Sequence, residues 1–590
     1  MLCYLPRLRI VQLQTINAIP VYLLICVVFF PLFSVEVAAE IDRTRSNEIV
    51  QLMEQEQFEG FQDFLIRLRS FSTIDDETTQ VINNYLQDQA IPEDLKNTLY
   101  RLLGIYTRLA YGDKALGTLA QLVAIPTFAV AGLPQHENPN FHRFADVLGA
   151  IAIEFGLDFR NVDNRIYEIN LRGTGDELVG IHAHGDVVPV NPDLWVLEDG
   201  TKLDPFKVTR IGNRLYGRGT EDDKNGIVAS MYAMKVIKEE NLALLRNIRL
   251  LVDTTEETSS LAIPYYFERN PTPDYNIALD GSYPVVIAEK GFGTVMAHFP
   301  VRKGSGEGAE IISVSGGLAT NQIPAASVAR VRSARPEELV SVLNEAGTLY
   351  TAGHGANFQI FASSDSNIVM LTVQGVSAHS SEPASGVNPV SRMLDFIHNL
   401  HGQAVFQSNH ITDAAHYASE NWGLDYLGNT LGIAYQNDFM GPLTAALTYI
   451  ALDDEKMQLA VNLRLPVGRA PDELLAEISS RLESWSQTSK ITATFKFSAD
   501  EPMYRNPEGA WVNALLDIAA ENLDIPRQFG SSAGATSIHD LPNGVQFGLA
   551  MPDEKYSGHN ANEFKTIDQF MIDLQIVTEM FARIGGMPRL

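Results

Sequence analysis

The sequence predicts an α/β fold, a mixed and mostly parallel sheet flanked by helices and interrupted by a large second α/β segment. Three observations predict it. From Leu119 (LAQLVAIPTF) to about Lys290 apolar runs alternate with helical patterns, the order that builds a largely parallel sheet. From about Gly291 to Ala499 a second α/β pattern opens with the strand-like TVMAHFPV and AEIISVSG and closes with LAVNLRLP and ITATFKF. Acidic and histidine-bearing motifs follow apolar runs of the first segment, yet the last of them, SGHNANE (Ser557 to Glu563), comes only after the second. If they share a site, the chain returns to the first domain and the middle segment is an insertion.

In chain order, residues 1–39 stand apart. Arg7 and Arg9 precede an apolar stretch from Val21 to Phe33, and Val37, Ala38 and Ala39 are small or short residues before Glu40. Thirteen such residues are too few to span a bilayer comfortably but suit the core of a signal peptide, with an uncleaved anchor as the alternative. A periplasmic or secreted location is therefore expected. Both cysteines, Cys3 and Cys26, lie in this segment, so a mature chain would have no disulfide and would rely on its own core.

Residues 40–111 are polar and helix-prone, with Phe58, Phe61, Phe64, Leu65 and Leu68 at helical spacing, and predict an N-terminal helical extension packed on the core. Residues 112–290 form the first part of the main domain, including a helix over Lys224 to Glu240 with Ile227, Met231, Met234 and Ile237 on one face. Residues 291–499 are the insertion. Residues 500–590 complete the main domain, closing with a helix whose stripe is Ile567, Phe570, Leu574, Val577, Phe581 and Ile584.

Composition narrows the partners. The 590 residues carry 44 Lys+Arg against 72 Asp+Glu, a formal charge of −28. Nucleic acid and anionic membrane surfaces both need basic patches, so neither is expected, and after signal cleavage no membrane contact is expected.

Five motifs carry chemistry: HAHGD (His182 to Asp186), EDDK (Glu221 to Lys224), TTEET (Thr254 to Thr258), ALDG (Ala278 to Gly281) and SGHNANE. Catalytic zinc takes imidazole nitrogen and carboxylate oxygen and keeps a position open for water, so such residues at strand ends predict a two-metal hydrolase. VGIHAHGDVVP reads as a buried strand that puts His184 and Asp186 at its carboxyl end. The His-x-Asp spacing lets the carboxylate accept from the far ring nitrogen and fix the tautomer, whereas His182 lacks such a partner and ranks below His184. NIRLLVDTTEE ends in Glu256 and Glu257, whose mutual repulsion a bound cation would offset, leaving one as ligand and the other as general base. Asp280 follows the same pattern, and Asp222, at the start of a helix, could equally be an N-cap. Two zinc ions (+4) balance Asp222, Glu257, Asp280 and one hydroxide.

In order and context, GIHAHGDVVP, GRGTEDDKNG, TTEE, ALDGSYPVVIAEKG, TNQIP, GVSAHSSEPASGVNP, NLRLPVG and GHNANE resemble the M20 metallopeptidases, most closely the bacterial PepV-type dipeptidases, over roughly Leu119 to Ile584. The resemblance implies a zinc-peptidase catalytic domain interrupted by a large α/β lid domain, with His184 and Asp280 holding one zinc, Glu257 and His559 the other, and Asp222 bridging. It further implies that Asp186 orients His184, that Glu256 is the general base, that His379 stabilises the oxyanion, and that Arg464 and Asn321 bind the substrate carboxylate. Cobalt or manganese could replace zinc. Asn225 stands where the family usually has Gly, and SSAGATS (Ser531 to Ser537), with His539 near where an Arg is common, replaces a more Gly-rich loop. The implied activity is hydrolysis of a dipeptide or short peptide by an exported enzyme. An N-acyl-amino-acid deacylase or carboxypeptidase of the same family and an inactive exported peptide-binding protein are the alternatives. A lid of about 200 residues could close the site within one chain, so a monomer is expected.

Overall fold

A computed structural model describes residues 41–590 except 318, 319, 356 and 454. The expected signal segment, residues 1–39, lies outside the described residues. Among those described, no helix is long and apolar enough to cross a membrane.

Four helices open the described chain: Arg43–Met53, Phe61–Arg69, Asp76–Leu86 and Lys96–Val123. Phe61, Phe64, Leu65 and Leu68 are buried, and the two phenylalanines meet Tyr106 of the fourth helix. That helix runs through LAQLV, which sequence analysis assigned to the opening of the α/β alternation. Its last buried residues, Ala115, Leu119, Leu122 and Val123, fit a 3.6-residue period, and Pro126 follows just beyond the helix end. The helix packs on the C-terminal helix Ile567–Gly586 so closely that a Cβ at Gly104 would lie 2.5 Å from the Gln575 carbonyl oxygen.

The first sheet has nine strands. At its centre Leu178–His184 lies between Asn247–Asp253 and Tyr275–Ala278, parallel to both, with His184 opposite Asp253 and His182 opposite Ala278. Val179, Ile181, Leu250, Val252 and Ile277 are 0–1% exposed, the near-continuous apolar run of strands covered on both faces. At about 1.5–3 kcal/mol for each such side chain, this centre is held firmly. Parallel pairing is confined largely to this region. Asp158–Val162 and Ile166–Leu171 form an antiparallel hairpin beside it, turned by Asp163 and Asn164 at φ 56° and 52°. On the other side Val286–Glu289 pairs antiparallel with Gly544–Gln546. Because the three central strands run together, their carboxyl ends bring His184, Glu256, Glu257 and Asp280 to one edge.

The second sheet is antiparallel throughout and has eight strands, in the order Gln359–Asp365, Ile368–Gln374, Ala326–Arg332, Glu310–Gly316, Thr444–Leu452, Lys456–Leu465, Gly291–Pro300 and Thr494–Ala499. Alternating burial along Ala326–Arg332 marks a half-buried strand. Helices Pro389–His401, His410–Asn421 and Pro471–Ser489 bury Met393, Ile397, Ile411, Leu474 and Ile478 in a separate core. The chain enters through Gly291, where a Cβ would lie 2.2 Å from the Asp500 carbonyl oxygen of the returning strand. The two connections therefore cross in close contact, and Arg464, opposite both Phe292 and Thr444, lies at this end of the sheet.

Candidate metal centre

The central strands deliver His184 and the carboxylates, and two loops complete the cluster. Asp222 precedes helix Lys224–Glu239 but does not cap it. Its Oδ1 lies 2.8 Å from His184 Nε2 and its Oδ2 3.0 Å from His559 Nε2, and the Tyr556 hydroxyl donates to Oδ2 at 2.5 Å. His559 Nε2 is also 2.9 Å from Glu257 Oε2, and Asp280 Oδ2 is 3.8 Å from His184 Nε2. Two overlapping groups of potential metal donors result, His184 with Glu256 and Asp280, and His184 with Asp222 and Glu257.

Asp186 lies against His184 with its backbone first and its carboxylate second. His184 Nδ1 bonds to the Asp186 backbone carbonyl at 2.9 Å, while the carboxylate stands 3.6 Å from that nitrogen. Its two oxygens instead accept the amides of Glu256 at 3.2 Å and Glu257 at 3.1 Å. The tight turn after the strand folds the carboxylate under the TTEET loop, so the backbone meets the imidazole first. His182 is buried and bonds Asn276 Oδ1 at 3.0 Å, and it joins neither donor group.

Electrostatically the cluster lacks positive charge. Burial, reinforced by Glu257, Asp186 and Asp222 against the pull of His184, raises the Glu256 pKa to about 8. Burial and the charges of Glu256 and Asp222 raise Asp280 well above the usual carboxylate range. Burial opposes charge on His184 and His559, but the adjacent carboxylates of Asp186 and Asp222 for the first, and of Asp222 and Glu257 for the second, raise both imidazoles. Glu257 Oε1 is buried with no hydrogen-bond partner. Imidazole nitrogens beside four carboxylates, with an orphan oxygen among them, fit a divalent cation, which supplies the charge the cluster lacks.

Two further residues, outside the expected ligand set, shape the cluster. Glu563, fully buried, accepts the amides of Gly219, Glu221 and Asp222 at 2.9, 3.0 and 3.2 Å and pairs with Arg218, so it fixes the loop that carries Asp222. Its place four residues after His559 was the available signal. Tyr556 had no signal, since nothing in a lone tyrosine's spacing points to Asp222.

Beside the second sheet, on a two-stranded ladder of its own formed by Gln322–Ile323 and Ala378–His379, His379 pairs with Gln322, and the Ser380 amide donates to the Asn321 carbonyl at 2.9 Å. Burial, and then the charges of Arg464 and His559, lower the pKa of the His379 ring. Arg464 is 6% exposed. Its guanidinium meets Asn462 Oδ1 at 3.1 Å and Ser380 Oγ at 3.4 Å, and no carboxylate pairs with it among the described residues; burial alone lowers it to about 10. His539 is committed elsewhere, to Glu289 at 2.7 Å and the Glu501 carbonyl at 2.7 Å. Glu289 also accepts the Thr536 hydroxyl at 2.9 Å, which anchors the Ser531 to Ser537 loop.

Residues 180–583, more than half the chain, match the sequence profile of peptidase family M20/M25/M40. The chain belongs to this family. As an M20 peptidase it is a metal-dependent hydrolase of peptide bonds, and the donor cluster is where metal fits. Among its relatives, YtjP of Bacillus subtilis (strain 168) is 27% identical over 434 residues, spanning 72% of this chain and 86% of that one. The Beta-Ala-Xaa dipeptidase of Lactobacillus delbrueckii subsp. lactis is 28% identical over 427 residues, spanning 72% and 85%. Human carnosine dipeptidase 1 shares the fold of this M20 peptidase, with a TM-score of 0.50 at 14% identity over 82% of this chain and 99% of that one. The two sheets are thus the catalytic domain and the lid.

Proposed function

We propose that this M20 peptidase is an exported, zinc-dependent dipeptidase with two metal ions, one held by His184 and Asp280, the other by Glu257 and His559, with Asp222 between them. The observation that carries the reading is Asp222, whose two oxygens face two different imidazoles at 2.8 and 3.0 Å, as a bridging carboxylate requires. When bound, the metal supplies Lewis acidity that activates water and polarises the scissile carbonyl. The chain does the rest. Glu256, held by Asp186 through its amide, takes the proton of the attacking water and passes it to the leaving amine, a task suited to a carboxyl pKa raised towards neutrality. His379 donates a hydrogen bond to the developing oxyanion. Arg464, lacking a carboxylate of its own, binds that of the substrate through its planar fork, and Asn321, in the exposed turn whose carbonyl accepts the Ser380 amide, joins it in that binding.

Relatives that include a Beta-Ala-Xaa dipeptidase support a dipeptide substrate over an N-acyl amino acid. The test is a panel of dipeptides with free and blocked termini, run with metal analysis. Cleavage that requires both a free amino and a free carboxyl end supports the dipeptidase. Equal cleavage of amino-blocked substrates makes it a deacylase or carboxypeptidase, and no cleavage makes it a binding protein.

A further inference from the structure

Between Arg464 and His379 the lid carries three polar residues, Ser380, Ser381 and Asn462, to which the proposed reaction gives no part. Ser380 Oγ donates to Asn462 Oδ1 at 2.9 Å, and Arg464 Nε donates to the same oxygen at 3.1 Å. Arg464 Nη2 reaches Ser380 Oγ at 3.4 Å. Ser380, Asn462 and Arg464 are 0%, 4% and 6% exposed, so these contacts have no water to replace them. One residue on, the Ser381 amide donates to His379 Nδ1 at 3.3 Å, and Ser381 Oγ lies 2.6 Å from the same nitrogen. A backbone N–H can only donate. His379 Nδ1 is therefore an acceptor, and in the neutral ring the proton resides on Nε2. The desolvation and nearby cations that lower this imidazole also favour the neutral form.

We propose that Ser381 fixes His379 as a neutral Nε2–H donor, and that Ser380 and Asn462 tie its position to Arg464, so that a substrate carboxylate is read in kcat and not only in KM. The inference rests on the dipeptidase reading, because it takes the carboxylate at Arg464 and the donor at His379 from it. A carboxylate seated on the Arg464 fork immobilises the guanidinium. The Asn462 oxygen and Ser380 hydroxyl that share its donors are immobilised with it, and His379 is the residue next to Ser380. An oxyanion donor is sensitive to such placement, since an error of about 1 Å can cost a factor of about 100 in rate. Ser380, Ser381 and Asn462 are in this account positioning residues.

Two measurements on the full enzyme test it. The first reads nitrogen chemical shifts of metal-loaded protein labelled with ¹⁵N-histidine at neutral pH, with the His379 signals assigned by their loss in His379→Gln. Wild type and Ser381→Thr should show Nε2 protonated and Nδ1 bare, whereas Ser381→Ala should shift towards a mixture of tautomers. A His379 protonated on Nδ1 in wild type overturns the assignment. The second compares free dipeptides with their carboxyl-terminal amides. In Ser380→Ala, kcat for free dipeptides should fall about tenfold towards that of the amides, with KM within about twofold. A rise in KM at unchanged kcat, or an equal loss on acids and amides, overturns the coupling. Melting temperatures of the variants separate misplacement from unfolding. A wild type that cleaves no dipeptide sinks the substrate reading and the coupling with it, while the tautomer is still decided by the shifts.

Discussion

Asp222 and Asp186 divide the work of holding the donor cluster. Asp222 touches both imidazoles, so it cannot be replaced by a residue with one acceptor. Asp186 works through the backbone: its carbonyl meets His184, and its carboxylate carries the amides of Glu256 and Glu257. Asp186→Asn should therefore leave the His184 tautomer intact and retain metal, yet lower kcat about tenfold or more by misplacing Glu256, as expected when a proton-transfer group is moved. Metal titration beside kcat checks it, and loss of metal at undisturbed Glu256 would return the carboxylate to the His184 role. Glu256→Gln removes the base and leaves Asp222, Glu257, Asp280 and both histidines. It should bind metal as wild type does and lose about 10² to 10⁴ in kcat, the span of general-base catalysis. Activity within a few-fold of wild type at full metal content refutes the role of Glu256.

At the scale of elements, what was legible in the sequence and what was not have physical reasons. Strand ends were legible because a buried central strand is a run of apolar residues that stops abruptly, and His184, Glu257 and Asp280 each stand at or just beyond such a stop. The short run LAQLV had no such clarity: a mostly apolar run of five residues is too short for its period to separate helix from strand, and packing against the C-terminal helix decided for helix. Routing of the Asp186 carboxylate to two amides could not be read from spacing, since it depends on how tightly the chain turns after His184. Nor could the pairing of the first long helix with the last. Arg101, 2% exposed, meets Glu579, 0% exposed, across that seam and reaches Glu521 at 2.7 Å. Arg101→Met should cost about 3–5 kcal/mol of stability because it leaves the buried Glu579 carboxylate with only the longer cationic contact to Arg583 at 3.7 Å. Adding Glu579→Leu should recover much of it, since an apolar pair avoids the desolvation cost. Denaturant melts of the single and double variants decide, and an additive loss would place the stabilisation elsewhere in the seam.

Across the whole molecule the proposed reaction draws on two cores. The catalytic domain, through its central strands and two loops, holds every donor of the metal cluster, while the lid carries His379 and Arg464 and joins the rest through the crossing at Gly291 and Asp500. In the proposed reaction the metal and the base stay with the catalytic domain, while the lid brings the oxyanion donor and the group that reads the substrate carboxylate, which makes a definite forecast for Arg464. The guanidinium is buried with only neutral oxygens as partners, so a substrate carboxylate would be its sole anionic partner among the groups around it. Arg464→Ala should lower kcat/KM for free dipeptides by about 2–4 kcal/mol, the range for truncating a buried charge pair, and for their carboxyl-terminal amides far less. Arg464→Lys should recover only part, because an ammonium cannot make the bidentate pair. Metal content should not change in either variant, since no metal donor belongs to the lid. Steady-state kinetics on matched acids and amides, with metal analysis of the same preparations, checks all three expectations. If acids and amides lose equally, or metal is lost, Arg464 holds the lid together instead of reading the substrate, and recognition of the carboxyl end must come from the catalytic domain.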